Sequence, residues 1–280
     1  MPIFIKLKDN DRIKLFRSIK EKINISWDSF YPSLGIRRSM FFHYLSGKHN
    51  LPQKLFFKLE RIARLKISNY GEVKQVKYVK KEIREPKMDI FLAEILGVLN
   101  GDGHISNFKY EVCVVGDIKE KKYSNYLKKL FEKTFGISFT IYKGKSYFKL
   151  RNYSKEISCL LTKKYNLPKG NKIGKLRIPK QVLKSNNLLI AYIRGLYDTD
   201  GSFYIRRKKE PVVQITSADS LFLSEIRDAL ISLNFNAVKG NQRIFIYTKN
   251  HIDNFFKIIR PANSKHLKKY QNYLKLSKRG

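Results

Sequence analysis

Ile95-Leu-Gly-Val-Leu-Asn-Gly-Asp-Gly103 and Ile193-Arg-Gly-Leu-Tyr-Asp-Thr-Asp-Gly201 are two versions of one nine-residue pattern, their final Asp residues 98 positions apart (102 to 200). What flanks them repeats as well. Apolar residues at helical spacing lead into each: Phe91, Ile95 and Val98 in one, Ile190, Ile193 and Tyr197 in the other. Extended, alternating sequence follows. In the second copy Phe203 and Ile205 interleave with Ser202, Tyr204 and Arg206 ahead of Val212–Thr216. A long amphipathic helix is expected next, over 117–135 and again over 218–233. A hairpin then turns at Lys143-Gly144 and at Lys239-Gly240. A repeat that holds register over this length predicts an α+β fold with two pseudo-symmetric αββαββα repeats, 87–184 and 185–280.

The paired nonapeptides resemble the LAGLIDADG motifs of homing endonucleases, in the form that carries two motifs on one chain. The resemblance covers the chain from about Lys87 onward. It implies saddle-shaped antiparallel sheets over successive major grooves of double-stranded DNA. It also implies a monomeric, metal-dependent nuclease that cuts both strands at a long asymmetric site, as in intron homing. Asn100 departs from the family, which usually has an acidic residue there; Asp198 keeps it. His104 replaces a common Ser.

The residue types also make physical sense. Gly97 and Gly101 lie four apart on one helix face, and Gly195 and the small Thr199 repeat that face. Small residues let two helix backbones approach closely. Helices packed side by side in this way bring their C-terminal ends together, with Asp102 and Asp200 adjacent at the negative ends of two helix dipoles. Two carboxylates placed there repel each other, and a divalent cation, Mg²⁺ or Mn²⁺, relieves the conflict. The plainer reading is a pair of helix-terminating Asp-Gly turns. Two copies in matched register favour the metal site, with Asp102 and Asp200 as its ligands.

Strand alternation supplies candidates for the DNA face. They are Tyr147, Lys149 and Arg151 in the first repeat, and Ser202, Tyr204, Arg206, Gln214, Arg243 and Tyr247 in the second. The plainer reading, ordinary solvent-facing strand residues, fits any one of them; the basic and aromatic set as a whole fits it less well. Two unlike repeats, each covering about one helical turn, imply a footprint of ~20 bp. The resemblance further implies a lysine near each scissile phosphate. Lys172, in Pro168-Lys-Gly-Asn-Lys-Ile-Gly-Lys175, is the candidate of the first repeat. Lys265 or Lys268, in Asn263-Ser-Lys-His-Leu-Lys-Lys269, is that of the second. Asp117 and Ser217 stand where the family carries a polar residue that organises water.

Residues 1–67 read as an all-α domain. A helix over 12–23 carries Ile13, Phe16 and Ile19 at helical spacing. Gly35 makes a turn into a second segment with Met40, Phe41 and Tyr44, which stops at Ser46-Gly47. The pattern resembles a helix-turn-helix of the phage-repressor type, with Arg37, Arg38, Ser39 and His43 on the exposed side of its second helix. Tyr31 and Pro32 depart from it. Residues 68–86, charged and broken by Gly71 and Pro86, read as a basic linker.

Composition agrees with a polyanion partner. The 280 residues carry 58 Lys+Arg against 23 Asp+Glu, a formal net charge of +35. At 42% hydrophobic residues the chain can form a core and is not a disordered basic tail. Cys113 and Cys159 form no Cys-x-x-Cys pair, which excludes a zinc finger and reads as core thiols in a reducing compartment. No apolar run suits a membrane span, so an intracellular protein without membrane contact is expected. The competing function is a non-catalytic nucleic-acid binder on the same scaffold: a transcription regulator, or a maturase with intron RNA as partner. An intein is disfavoured, since the splicing nucleophile and terminal His-Asn pair are not in place.

Overall fold

A computed structural model describes residues 3–77, 83–207 and 210–277. The chain divides after Lys81 into two units, each closing its own hydrophobic core.

The first unit mixes helix and sheet. β1 (Ile3–Leu7) is followed by α1 (Asp9–Ile23), the short α2 (Trp27–Phe30), α3 (Arg38–Leu45), β2 (Leu51–Pro52), α4 (Gln53–Ala63) and β3 (Val73–Lys77). Phe16 and Ile19 of α1 are buried as the sequence spacing predicts, but Leu15 rather than Ile13 completes the face, Ile13 being 50% exposed. Phe41 and Tyr44 of α3 and Phe56 and Leu59 of α4 close the core. Pro32 ends α2 in one tight helical turn over Tyr31–Leu34, and Gly35 takes a left-handed φ of 69° to redirect the chain toward α3.

This unit is not all-α. β1 is the central strand of a three-stranded antiparallel sheet in the order β2-β1-β3, with Phe4 opposite Val76 and Ile5 opposite Gln75. The stretch read as linker therefore contributes a paired strand, and the unit runs to Lys81. The reason is non-local pairing. A five-residue strand as lysine-rich as Val73-Lys-Gln-Val-Lys77 becomes a strand only because Ile3–Leu7 offers it an edge. The part of the linker reading that falls on residues 78–82 lies outside the described residues.

The second unit contains the repeat. The first copy runs α5 (Ile90–Asn100), β4 (Gly103–Ile105), β5 (Glu111–Asp117), α6 (Lys121–Phe135), β6 (Thr140–Lys143), β7 (Tyr147–Tyr153) and α7 (Lys155–Cys159). The second runs α8 (Asn186–Asp200), β8 (Gly201–Arg206), β9 (Glu210–Thr216), α9 (Ser220–Ser232), β10 (Ala237–Gly240), β11 (Arg243–Ile246) and α10 (Lys249–Ile259). A further helix, α11 (Ser264–Ser277), has no counterpart in the first copy and is not foreseen in the αββαββα pattern. Each copy forms a four-stranded antiparallel sheet of the same order, β4-β5-β7-β6 and β8-β9-β11-β10. Side-chain caps fix where the motif helices begin: Asp89 accepts from Leu92 N at 2.9 Å, and Ser185 from Leu188 N at 3.4 Å.

α5 and α8 pack backbone to backbone. A Cβ on Gly97 would overlap Tyr192 O and lie 2.9 Å from Leu196 N; one on Gly195 would overlap Glu94 O and lie 2.9 Å from Val98 N. Each contact is the image of the other under the repeat, which is what a pseudo-twofold axis between the helices requires. One polar tie breaks the symmetry. Glu94, 3% exposed, accepts from Arg194 at 3.3 Å and from the Tyr126 hydroxyl at 2.5 Å, while Arg194 Nε donates to Ile259 O at 2.7 Å. No helix among the described residues is long and apolar enough to cross a membrane.

Candidate functional site

The glycine contacts set the geometry at the other end of the helix pair. Asp200 is the last residue of α8, and Asp102 lies two residues beyond the end of α5. Gly101 packs against the α8 terminus so closely that a Cβ there would sit 2.8 Å from Thr199 Cβ and 3.4 Å from Asp200 Cγ. Burial pushes Asp200 up to about 7, and the neighbouring Asp102 carboxylate adds to the shift against the pull of Lys172 and Lys265. Asp102 is reached by solvent but crowded by protein. Burial raises its pKa first, Lys265 and Lys172 lower it, and Glu120 raises it. Both carboxylates are thus shifted upward, by burial first, in a place where the nearby lysines only partly offset that cost.

The structure brings two of the three candidate lysines to this pair. Lys172 Nζ donates to the carbonyls that end α5, Asn100 O at 3.1 Å and Leu99 O at 3.4 Å, and also to Gly101 O. It thereby places its charge at the negative end of the helix. Burial pushes its pKa down, and the charges of Asp200 and Asp102 push it back up. Lys265, at the start of α11, pairs with Glu120 at 2.8 Å and acts on both aspartates. Lys268 lies exposed on α11 and has no such part.

A buried polar chain behind Lys265 escapes sequence reading. Asp198, fully buried, accepts from Ala262 N at 2.8 Å and Asn263 N at 3.0 Å. The Asn263 side-chain amide in turn donates to Glu120 Oε2 at 3.1 Å, and Asn263 Oδ1 accepts from Lys265 N at 3.2 Å. Asn100, in the matching place on α5, donates instead to Arg177 O at 3.0 Å and Tyr192 OH at 2.7 Å.

Among the described residues no group of three or more His, Cys, Asp or Glu could enclose a metal ion. Asp102 and Asp200 supply two hard oxygen donors, and neither side chain accepts a hydrogen bond among the described residues. That donor set fits Mg²⁺, which prefers one or two carboxylates and completes its shell with water and phosphate oxygens.

The sheet residues fall into clusters. Lys149 pairs with Glu111 at 2.9 Å; the Arg151 guanidinium lies 3.9 Å from the same carboxylate and 5.7 Å from the Tyr142 ring centroid. Tyr147 is exposed beside them, its ring 6.2 Å from that of Tyr142. In the second sheet Ser202 faces Gln214, and Gln214 faces Phe245. Gln214 accepts from Tyr204 OH at 3.2 Å, Arg206 pairs with Glu210 at 2.8 Å beneath the Tyr247 ring, and Arg243 is exposed. Cys113 is buried, but it alternates with the core residues Val112 and Val114 and so lies on the polar face, opposite Arg151. Asp117 and Ser217 accept from the backbone two residues on, Lys119 N at 2.8 Å and Asp219 N at 3.2 Å, as turn residues do.

In the first unit Arg37, Arg38 and Ser39 are exposed, with Arg38 held by Asp28 at 2.7 Å. His43 departs from expectation. It is half-buried, its ring 4.9 Å from that of His49, because the end of α3 folds back on the loop at residues 46–50.

Residues 187–260 match the family model of the LAGLIDADG-like domain. They span the second nonapeptide and most of the second repeat. The structure of the homing endonuclease I-WcaI bound to its DNA recognition sequence aligns with 67% of this chain and 89% of its own, at 17% identity and a TM-score of 0.50, and it shows the fold. I-DmoI in complex with DNA and Mn aligns with 62% of this chain and 97% of its own, at 17% identity and a TM-score of 0.46. A Replication factor C small subunit from Methanocaldococcus jannaschii is 28% identical over 195 residues; the match takes in 66% of this chain and about a tenth of that relative's length.

Proposed function

We propose that this protein is a site-specific double-strand DNA endonuclease of the homing type, using Mg²⁺ or Mn²⁺ to hydrolyse one phosphodiester on each strand of a long asymmetric site. The observation that carries the proposal is the convergence of Asp102 and Asp200 at two helix ends, with Asp200 pushed to about 7. A protein that only binds nucleic acid gains nothing from two crowded carboxylates on a basic surface. A divalent ion held by Asp102 and Asp200 would polarise the phosphate, activate water and neutralise the leaving oxygen. Asp200 must be ionised to serve as a ligand, so its proton leaves on loading. Lys172 and Lys265 set positive charge beside the carboxylates, where a scissile phosphate would approach. The sheet residues from Tyr147 to Arg151 and from Ser202 to Tyr247 would hold the duplex by phosphate and base-edge contacts. The unlike polar clusters of the two sheets support an asymmetric target, and the first unit, through Arg37, Arg38 and Ser39, would lengthen the footprint.

The test is cleavage-site selection from a randomised DNA library, followed by assay on a plasmid carrying the selected site. Mg²⁺ should permit a double-strand cut and EDTA should stop it. Asp102→Asn and Asp200→Asn should each slow cutting by about a thousandfold, the scale of several kcal/mol of charge stabilisation, with binding retained in gel shift. Undiminished cutting by either variant would sink the assignment.

A further inference from the structure

We infer that Glu120 is a positioning residue that holds Lys265 in the cleavage site across the boundary between the two repeats. The inference rests on the nuclease reading and adds to it a residue that no motif contains. Glu120 precedes α6 of the first repeat, whereas Lys265 opens α11 after the second. Their 2.8 Å contact joins side chains 15% and 38% exposed, so the carboxylate is the sheltered partner and the ammonium the accessible one. The other oxygen of Glu120 is fixed by Asn263 Nδ2 at 3.1 Å, and Asn263 is fixed through its backbone by the buried Asp198. Glu120 is thus held from behind by Asn263 and the buried Asp198, Asn263 Oδ1 also accepts from Lys265 N, and the remaining carboxylate oxygen of Glu120 takes the Lys265 ammonium.

The electrostatics give this arrangement a purpose. A carboxylate left unpaired near an incoming phosphate is unfavourable, and the 2.8 Å pairing with Lys265 neutralises Glu120. An ammonium released beside two under-neutralised aspartates would pair with them and occupy the ground a divalent cation needs. Glu120 takes that pairing upon itself and leaves Asp102 and Asp200 available. The other half of the site is built differently. Asp219, at the matching position before α9, spends its oxygens on Leu176 N at 3.1 Å and Phe222 N at 3.2 Å, and Lys172 rests on helix carbonyls instead.

Glu120→Gln keeps the shape and the acceptor for Asn263 but removes the charge that holds Lys265. Single-turnover cleavage with saturating protein and Mg²⁺ should fall by about tenfold to a hundredfold, the effect of a misplaced group, with DNA affinity and melting temperature unchanged. Lys265→Met should fall by a similar factor. The double variant should be no slower than the slower single one, because both remove one interaction. A purely structural Glu120 would lower melting temperature or add its loss to that of Lys265→Met. Wild-type rates in Glu120→Gln, or additive losses in the double variant, would overturn the inference while leaving the nuclease reading intact. A wild-type protein that does not cut with Mg²⁺ would instead overturn the reading on which it rests.

Discussion

At the scale of single residues, Asp200 carries a pH dependence that can be measured without substrate. Its folded pKa, about 7, stands above the ordinary carboxylate value of 3.8. The folded state therefore holds a proton that the unfolded state gives up earlier. The contribution of Asp200 to stability is fully present below pH ~4 and is lost as pH rises through about 7. In EDTA, Asp200→Asn should melt higher than wild type at pH 8 and equally at pH 4. Adding Mg²⁺ at pH 8 should raise the melting temperature of the wild type and not that of the variant, since an ion that binds only the folded state stabilises it. A calorimetric series over these conditions decides both points. The aspartates are legible in the sequence because the repeat itself flags them. The lysines are legible only as a shortlist: Lys265 and Lys268 are three positions apart, and nothing local says which faces inward. Glu120 is not legible at all, because its role depends on Lys265 and Asn263, which only the tertiary fold brings to it.

At the scale of elements, the joint between α5 and α8 makes the sharpest claim. An alanine in the middle of a helix ordinarily helps it by about 1 kcal/mol over glycine. Here the added methyl would meet backbone atoms of the facing helix, which cannot turn away as a side chain can. Gly97→Ala and Gly195→Ala should therefore each destabilise by about 3 kcal/mol, a cost typical of overpacking, and lower the urea midpoint. A neutral or stabilising result would mean that the helices stand too far apart for their backbones to touch. The strands around residues 147–151, 202–206 and 243–247 can be read from sequence because one face of each is buried and the residues alternate. β1 and β3 cannot, since each is five residues long and the pairing spans almost the whole first unit. α11 escapes for a different reason: the repeat logic supplies no template for it.

At the scale of the whole molecule, the net charge of +35 resolves into two separately folded basic units. If the first unit touches DNA, a protein comprising residues 82–280 should show a shallower dependence of log affinity on log salt, by about 0.9 for each phosphate that the first unit would have neutralised. Anisotropy titrations over a salt series measure it, and an unchanged slope would mean that the first unit stands clear of the duplex. The second unit has a consequence for how its halves know each other. The glycine contacts are self-complementary, and two copies of either half could make them. The Glu94–Arg194 and Glu120–Lys265 pairs run one way, acid from the first half and base from the second or beyond it. In the 98-residue register of the repeat Arg194 corresponds to Leu96 and Glu94 to Tyr192, so two first halves would leave Glu94 facing a leucine with no base, and two second halves would leave Arg194 facing a tyrosine with no acid. Cut apart between residues 184 and 185 and mixed, the halves should reassemble with each other in preference to themselves. Four side chains convert the near-symmetry of the fold into a lock with a distinct key.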